Sequence, residues 1–560
     1  AKNEQGAVHA ATAFAKEHNR RKIMAVTSSI GPGALNMVGG AGTAAANHIP
    51  GLLLPGDVFA SRQPDPVLQQ IETPVDYTNT ANDAFRSVSR YWDRVNRPEQ
   101  LMSAMLNAMR TLTDPADTGA VTIALPQDVQ GMAYDYPLEF FAKRVHYIER
   151  RIPTKSQLDR LAKLLSKATK PLVICGGGVR YSEAGDALAA FCQRFAIPFA
   201  ETQAGKGTVL WDNPFNLSGI GTTGSQAANR LAKQSDLVIG VGTRFGDFTT
   251  CSKWLFQNPA CEFISINVAS FDAYKLNSLP IVADAKLTLE ALLSQPQLSG
   301  YKSGWGETIE TERNLWKEGV DRLYQEVVPS SLSQARVLGE LNGRLLPPSA
   351  IVVSGSGSIP SDMQRVWRTR VRGTYHMEYA FSCMGYEVAA ALGTKIAHPD
   401  REVVTIIGDG AYTMLHTELL TSIQEGRKII VVVLDNAGFH CIDNLQNSQG
   451  IVHYGNEWRR REKETGRLTG SSLSVDYALN AQSWGAVGLR ADTIEELEQA
   501  VKQALAEKVS TLIHCHVAPK SMTKGYDSWW RVGTAEVSNN PKVVEAWTEL
   551  QSEIAKVRQF

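Results

Sequence analysis

Ile406-Ile407-Gly408-Asp409-Gly410-Ala411 and, one helical stretch later, Ile429-Ile430-Val431-Val432-Val433-Leu434-Asp435-Asn436-Ala437-Gly438 decide the fold. Two short, almost purely apolar runs joined by a helix-length connection predict neighbouring parallel strands in an α/β sheet covered on both faces. One strand is expected to run out at Asp409 and the other at Asn436, 436 − 409 = 27 residues on. Both side chains then emerge at the carboxyl edge of one sheet, where open α/β folds bind ligands. The Asp409 carboxylate, the Asn436 amide oxygen and the Gly438 carbonyl make a hard, all-oxygen set suited to Mg²⁺ or Ca²⁺, with phosphate oxygens and water completing it. Gly408 and Gly410 let the backbone approach phosphates, and the N-terminus of the following helix favours their charge.

Outward from this pair, the 560 residues alternate helix-like and strand-like stretches throughout. Ile23 to Thr27, Gly51 to Pro55 and Ala120 to Leu125 read as strands of a first block. Pro171 to Cys175, Asp236 to Gly242 and Phe263 to Asn267 read as a second, and Ile351 onward as a third. The expected class is α/β, with three doubly wound parallel-sheet domains at 1–148, 149–330 and 331–525 and a tail at 526–560. Lys+Arg and Asp+Glu balance at 57 each, so no net field favours nucleic acid or an anionic membrane, and a small-molecule partner is expected. The apolar runs fall well short of the roughly 20 residues that span a bilayer. Seven scattered cysteines without CxxC pairs read as buried thiols of a cytoplasmic protein. The chain opens at Ala1-Lys2 without a Met, and a preceding segment, including a first strand, is expected.

A second motif lies far from the first: Glu4-Gln5-Gly6-Ala7-Val8-His9-Ala10-Ala11, then Ser28-Ser29-Ile30-Gly31-Pro32-Gly33-Ala34-Leu35-Asn36. Together the two resemble the signature of the thiamine diphosphate enzymes, in the order pyrimidine-binding, middle and diphosphate-binding domain of the acetolactate synthase-like branch. The resemblance implies that the Glu4 carboxyl bonds to the cofactor's aminopyrimidine and favours the imino form, the base that takes the thiazolium proton. It implies cofactor contacts at Glu4, Gly33, Asn36, Gly408, Gly410, Ala411, Asn436 and Phe439, and metal ligation by Asp409, Asn436 and Gly438. Phe381-Ser382-Cys383-Met384-Gly385-Tyr386 is similar to the family stretch in which a large apolar residue, here Met384, wedges between the cofactor rings; a plain core Met is the alternative. Ser356, Gly357 and Ser358 stand at a strand-to-helix turn that could hold the diphosphate. Asp435 stands where many relatives have the first Asn of an Asn-Asn pair, leaving the second, metal-binding position intact.

Gly176-Gly177-Gly178 lacks the GxGxxG spacing of a dinucleotide site, so FAD, which the middle domain of acetolactate synthases helps to bind, is not expected. Within the branch, Leu54 to Gln70, Ser89 to Arg94, Asp435 to Phe439 and Gly525 to Trp530 resemble the trihydroxycyclohexane-1,2-dione hydrolases of myo-inositol breakdown. That resemblance implies hydrolytic opening of 3D-(3,5/4)-trihydroxycyclohexane-1,2-dione to 5-deoxy-glucuronate, with His9, Arg62, Gln69 and His440 as candidate partners for the polyol ring. It also implies a homodimer or homotetramer with active sites at the dimer interface. Two alternatives stay open: a carboligase acting on 2-keto acids, and a non-catalytic assembly or binding protein that keeps the fold.

Overall fold

The computed structural model describes residues 1–329 and 331–559. Its strands form three sheets among the described residues, and the pairings described are parallel. The first holds β1 (Ala25–Ser28), β2 (Gly51–Asp57), β3 (Tyr91–Arg94) and β4 (Ala120–Pro126) in the order β1-β2-β4-β3. The second holds β5 (Pro171–Cys175), β6 (Phe199–Glu201), β7 (Asn216–Gly219), β8 (Leu237–Val241), β9 (Glu262–Asn267) and β10 (Leu279–Val282) in the order β10-β9-β8-β5-β6-β7. The third holds β11 (Ile351–Ser354), β12 (Tyr375–Met377), β13 (Val403–Gly408), β14 (Ile430–Asp435), β15 (Val487–Ala491) and β16 (Thr511–His516) in the order β12-β11-β13-β14-β16-β15. This is the expected α/β class, with helices connecting parallel strands.

Most of the strands legible as apolar runs are buried ones, β1 being the partly exposed exception. β14 is buried at every position and registers with β13 through Ile407↔Val433 and with β16 through Val433↔His514. The strands that escaped the sequence reading lie mostly towards sheet edges: β3 is Tyr-Trp-Asp-Arg and β7 is Asn-Leu-Ser-Gly. β3 is half-buried throughout and needs no continuous apolar run, whereas β7 is mostly buried but short and polar, so neither sequence carries much signal. At the diphosphate motif the strands stop one residue earlier than expected: Asp409 opens the helix Asp409–Met414 and Asn436 follows the last residue of β14.

The chain divides into two compact units, one of Ala1–Glu149 with Glu378–Val403 and Met414–Ile429, the other of Arg150–Met377 with Val404–Thr413 and Ile430–Phe560. In the first, the helix Glu4–Glu17 lies against the helix Tyr386–Ala397 so closely that a side chain at Gly393 would stand 2.0 Å from the Ala10 carbonyl. In the second, the Gly176 to Gly178 turn is filled by protein: a Cβ at Gly176 would meet the Gly242 carbonyl at 2.2 Å. Backbone packing accounts for those glycines without a nucleotide. No helix among the described residues is long and apolar enough to cross a membrane.

Candidate functional site

In the first unit the sequence starts a helix at Glu4. Asn3 caps it, its side chain accepting from the backbone N–H of Gln5 at 2.9 Å and Gly6 at 3.3 Å. The buried Glu418 carboxylate holds the approach, accepting from the N–H groups of Lys2 at 2.9 Å and Asn3 at 3.1 Å. Glu4 itself is only partly buried, and its Oε2 accepts from Asn36 Nδ2 at 2.9 Å. Gly33 makes room for this pair: a Cβ there would stand 2.5 Å from Ser29 Oγ and 3.1 Å from Glu4 Oε1. Glu4, Gly33 and Asn36 therefore meet, with one carboxylate oxygen fixed by the Asn36 amide.

Met384 lies in the same unit, half-buried on the turn before the helix Tyr386–Ala397. Glu378 fixes that turn by accepting from the N–H of Phe381 at 2.9 Å and of Cys383 at 2.8 Å. His9 is fully buried, 3.2 Å from Gln5 Nε2 and 3.6 Å from Cys383 Sγ, and burial drives its pKa down to about 3. It is a neutral packing imidazole in the single chain. Arg62 and Gln69 lie exposed on the loop after β2; the Arg62 guanidinium rests over the Tyr77 ring, and the Gln69 carbonyl sits against Gly31. One network that pairwise sequence reading missed ties this loop down. Arg94 donates to Asp57 at 2.7 Å and to Asp83 at 2.6 Å, joining the Leu54–Gln70 and Ser89–Arg94 stretches.

In the second unit Asp409 is fully buried at the carboxyl end of β13. Its Oδ2 accepts from Trp458 Nε1 at 2.6 Å, leaving Oδ1 facing the Asn436 backbone N–H at 3.5 Å. One end of the Asn436 side-chain amide lies 2.9 Å from the Gly438 carbonyl and 3.2 Å from Asp409 Oδ1. With the amide oxygen at that end, three oxygens face one another and repel, an arrangement that a divalent cation relieves. The alternative is an amide turned over to donate to both oxygens; the donor set and the buried charge favour the cation. Burial and then the nearby Asp435 carboxylate hold the Asp409 carboxyl well above its usual range, against the Trp458 hydrogen bond. A buried carboxylate in that condition is stabilised by a metal ion. The residues present therefore fit Mg²⁺ or Ca²⁺.

The surrounding backbone is shaped for close approach. Gly438 has φ 155°, and a Cβ there would stand 2.2 Å from the Asn456 carbonyl. A Cβ at Gly410 would stand 2.6 Å from the Phe439 ring, which packs edge-on against Trp458 with centroids 5.0 Å apart. Ser356 and Gly357 form the turn between β11 and the helix opening at Ser358, with Gly357 at φ 106° and open space where its side chain would be. Gly408 and Ala411 flank Asp409 at the strand-to-helix junction. His440 opens the helix His440–Ser448, almost fully buried; burial lowers its pKa against the opposing Asp443 and Glu457 carboxylates. Trp458 is the site residue that sequence reading missed. Its only signal was an indole 20 residues or more past the motif, and a buried indole N–H needs a partner. Trp529 and Trp530, in the Gly525 to Trp530 stretch, pack on the second domain, Trp530 donating to Asp247 at 2.5 Å.

Family models match the chain three times: thiamine pyrophosphate enzyme N-terminal TPP binding domain at residues 1–78, central domain at 158–292, and C-terminal TPP binding domain at 355–515. The chain belongs to the thiamine pyrophosphate enzymes. The two TPP-binding matches contain Glu4 and the Asp409/Asn436 pair respectively. Similar full-length relatives are the 3D-(3,5/4)-trihydroxycyclohexane-1,2-dione hydrolases of Clostridium tetani, 52% identical, and Geobacillus thermodenitrificans, 53% identical. That of Bacillus anthracis is 51% identical, and each likeness covers 100% of this chain and 90% of the relative. A thiamine pyrophosphate enzyme with these relatives is a hydrolase of that family.

Proposed function

We propose that the protein hydrolyses a ring carbon–carbon bond of 3D-(3,5/4)-trihydroxycyclohexane-1,2-dione, giving 5-deoxy-glucuronate, with thiamine diphosphate and Mg²⁺ or Ca²⁺. The observation that carries this reading is the full-length likeness, about half identical, to hydrolases named for that substrate. When bound, thiamine diphosphate supplies a carbon nucleophile and an electron sink for the bond that breaks. The overall reaction consumes one water: one of the two carbonyl carbons leaves as a carboxylate, and the other is protonated and released as an aldehyde.

The chain's own residues then have these roles. Glu4, held by Asn36 Nδ2, would keep a proton at the pyrimidine nitrogen, and Gly33 leaves the Glu4 carboxylate room. Asp409, Asn436 and the Gly438 carbonyl hold the divalent ion, with Trp458 fixing the Asp409 carboxylate. Gly408, Gly410, Ala411, Phe439 and the Ser356-Gly357-Ser358 turn would border the diphosphate, and Met384 would lie against the cofactor's rings. Arg62, Gln69 and His440 offer polar groups to the substrate, and His9, buried against Gln5 and Cys383, supports the Glu4 helix. The working unit is a homodimer or homotetramer, Glu4 of one subunit serving the same cofactor as Asp409 of the partner subunit, in the cytoplasm. Feeding pyruvate to the holoenzyme tests the reaction class: no acetolactate is expected, and robust acetolactate formation would replace the hydrolase reading with a carboligase.

A further inference from the structure

His514-Cys515-His516 lies on β16, and neither histidine has a part in the cofactor site described above. On a strand, residues two apart point to the same face, so both imidazoles project from one side of the sheet. β14 places Asp435 in register with His516, and β15, paired through Ala491↔Cys515, delivers Asp492 beside it. Three adjacent strands thus bring two imidazoles and two carboxylates to one carboxyl edge.

The atoms converge as ligands do. Asp435 Oδ2 lies 2.8 Å from His514 Nε2 and 3.7 Å from His516 Nε2, and the ligand atoms of all three residues fall within 4.8 Å of one another. Ligands on a tetrahedral ion with bonds of about 2.0–2.1 Å sit about 3.3 Å apart, between those two separations. The second nitrogen of His516, Nδ1, is 2.6 Å from Asp492 Oδ1, the carboxylate–imidazole pairing that fixes a metal-binding tautomer. Asp435 and His514 are buried, whereas His516 is 47% exposed, so the cluster opens to solvent on one side. Two imidazoles and one carboxylate with an open fourth position suit a borderline ion rather than the hard ions of the neighbouring oxygen set.

We propose that Asp435, His514 and His516 form a second metal site, for a Zn²⁺-class divalent ion, distinct from the Asp409/Asn436/Gly438 set and oriented by Asp492. The test uses tag-free, full-length protein stripped with chelator and reloaded with Mg²⁺ and thiamine diphosphate, then titrated with Co²⁺. One further equivalent per chain is expected, with the visible absorption of imidazole-bound tetrahedral Co²⁺. His516→Asn, at an exposed position, and His514→Gln should each weaken it by more than about tenfold, with Mg²⁺-dependent cofactor binding retained. Absence of the extra equivalent, or an equivalent that neither substitution weakens, overturns the proposal; neither outcome bears on the hydrolase reading.

Discussion

Single side chains carry the sharpest expectations. Glu4→Gln keeps the shape and the Asn36 contact but cannot hold the proton, so turnover should fall by about 10²–10⁴-fold while the cofactor still binds, read by steady-state kinetics beside cofactor titration. Trp458→Phe removes the donor to Asp409 Oδ2; metal affinity should drop by about 10–100-fold, measured by Mg²⁺ dependence of cofactor binding. His9 has a folded pKa pushed by burial to about 3, far below its unfolded value of 6.5. It therefore stabilises the fold above pH about 6.5, and that contribution is lost as pH falls towards 3, by up to about 1.4 kcal/mol per pH unit. Denaturant unfolding across that window should flatten in His9→Asn. At this scale the positions of Glu4, Asp409 and Asn436 at a helix start and two strand ends were legible, because the proposed chemistry demands a fixed residue type at a fixed turn. The Trp458 and Arg94 contacts were not, since each joins points that only the fold brings together.

At the scale of elements, the site depends on backbones that approach closely at strand-to-helix junctions. Gly33→Ala would put a Cβ 3.1 Å from Glu4 Oε1 and 2.5 Å from Ser29 Oγ, pushing the Gly31–Asn36 turn away from the Glu4 helix. Its expected outcome is a large loss of turnover with near-native circular dichroism and thermal stability. Gly-Pro-Gly and Gly-Asp-Gly could be read as such junctions directly, because glycine is the residue that permits them. The buried strands β13 and β14 announced themselves by continuous apolar runs, whereas β3, β7 and β12 did not. β3 is only half-buried, and β7 and β12, though mostly buried, are runs of four and three residues, Asn-Leu-Ser-Gly and Tyr-His-Met, at the margins of their sheets. Strand ends were off by a single residue at Asp409 and Asn436, which moved neither side chain from the sheet's carboxyl edge.

For the whole molecule, the reading that Glu4 and Asp409 of different subunits serve one cofactor makes a quantitative claim. Mixing the inactive Glu4→Gln and Asp409→Asn proteins under subunit exchange should restore roughly a quarter of normal activity, since half the dimers are mixed and each mixed dimer regains one intact site of two. No recovery would place both residues in one subunit's site. The three-sheet order was visible in the sequence because each block repeats the strand–helix alternation; how subunits pair was not, because an interface leaves no periodic signal of its own. The central claim, water-dependent ring opening, is tested most directly by mass spectrometry of the product formed from the cyclic dione by holoenzyme in ¹⁸O-labelled water. The expected product is a ring-opened acid carrying one solvent oxygen in its new carboxylate. Recovery of unchanged dione, or of a product with no solvent oxygen in that carboxylate, would contradict it.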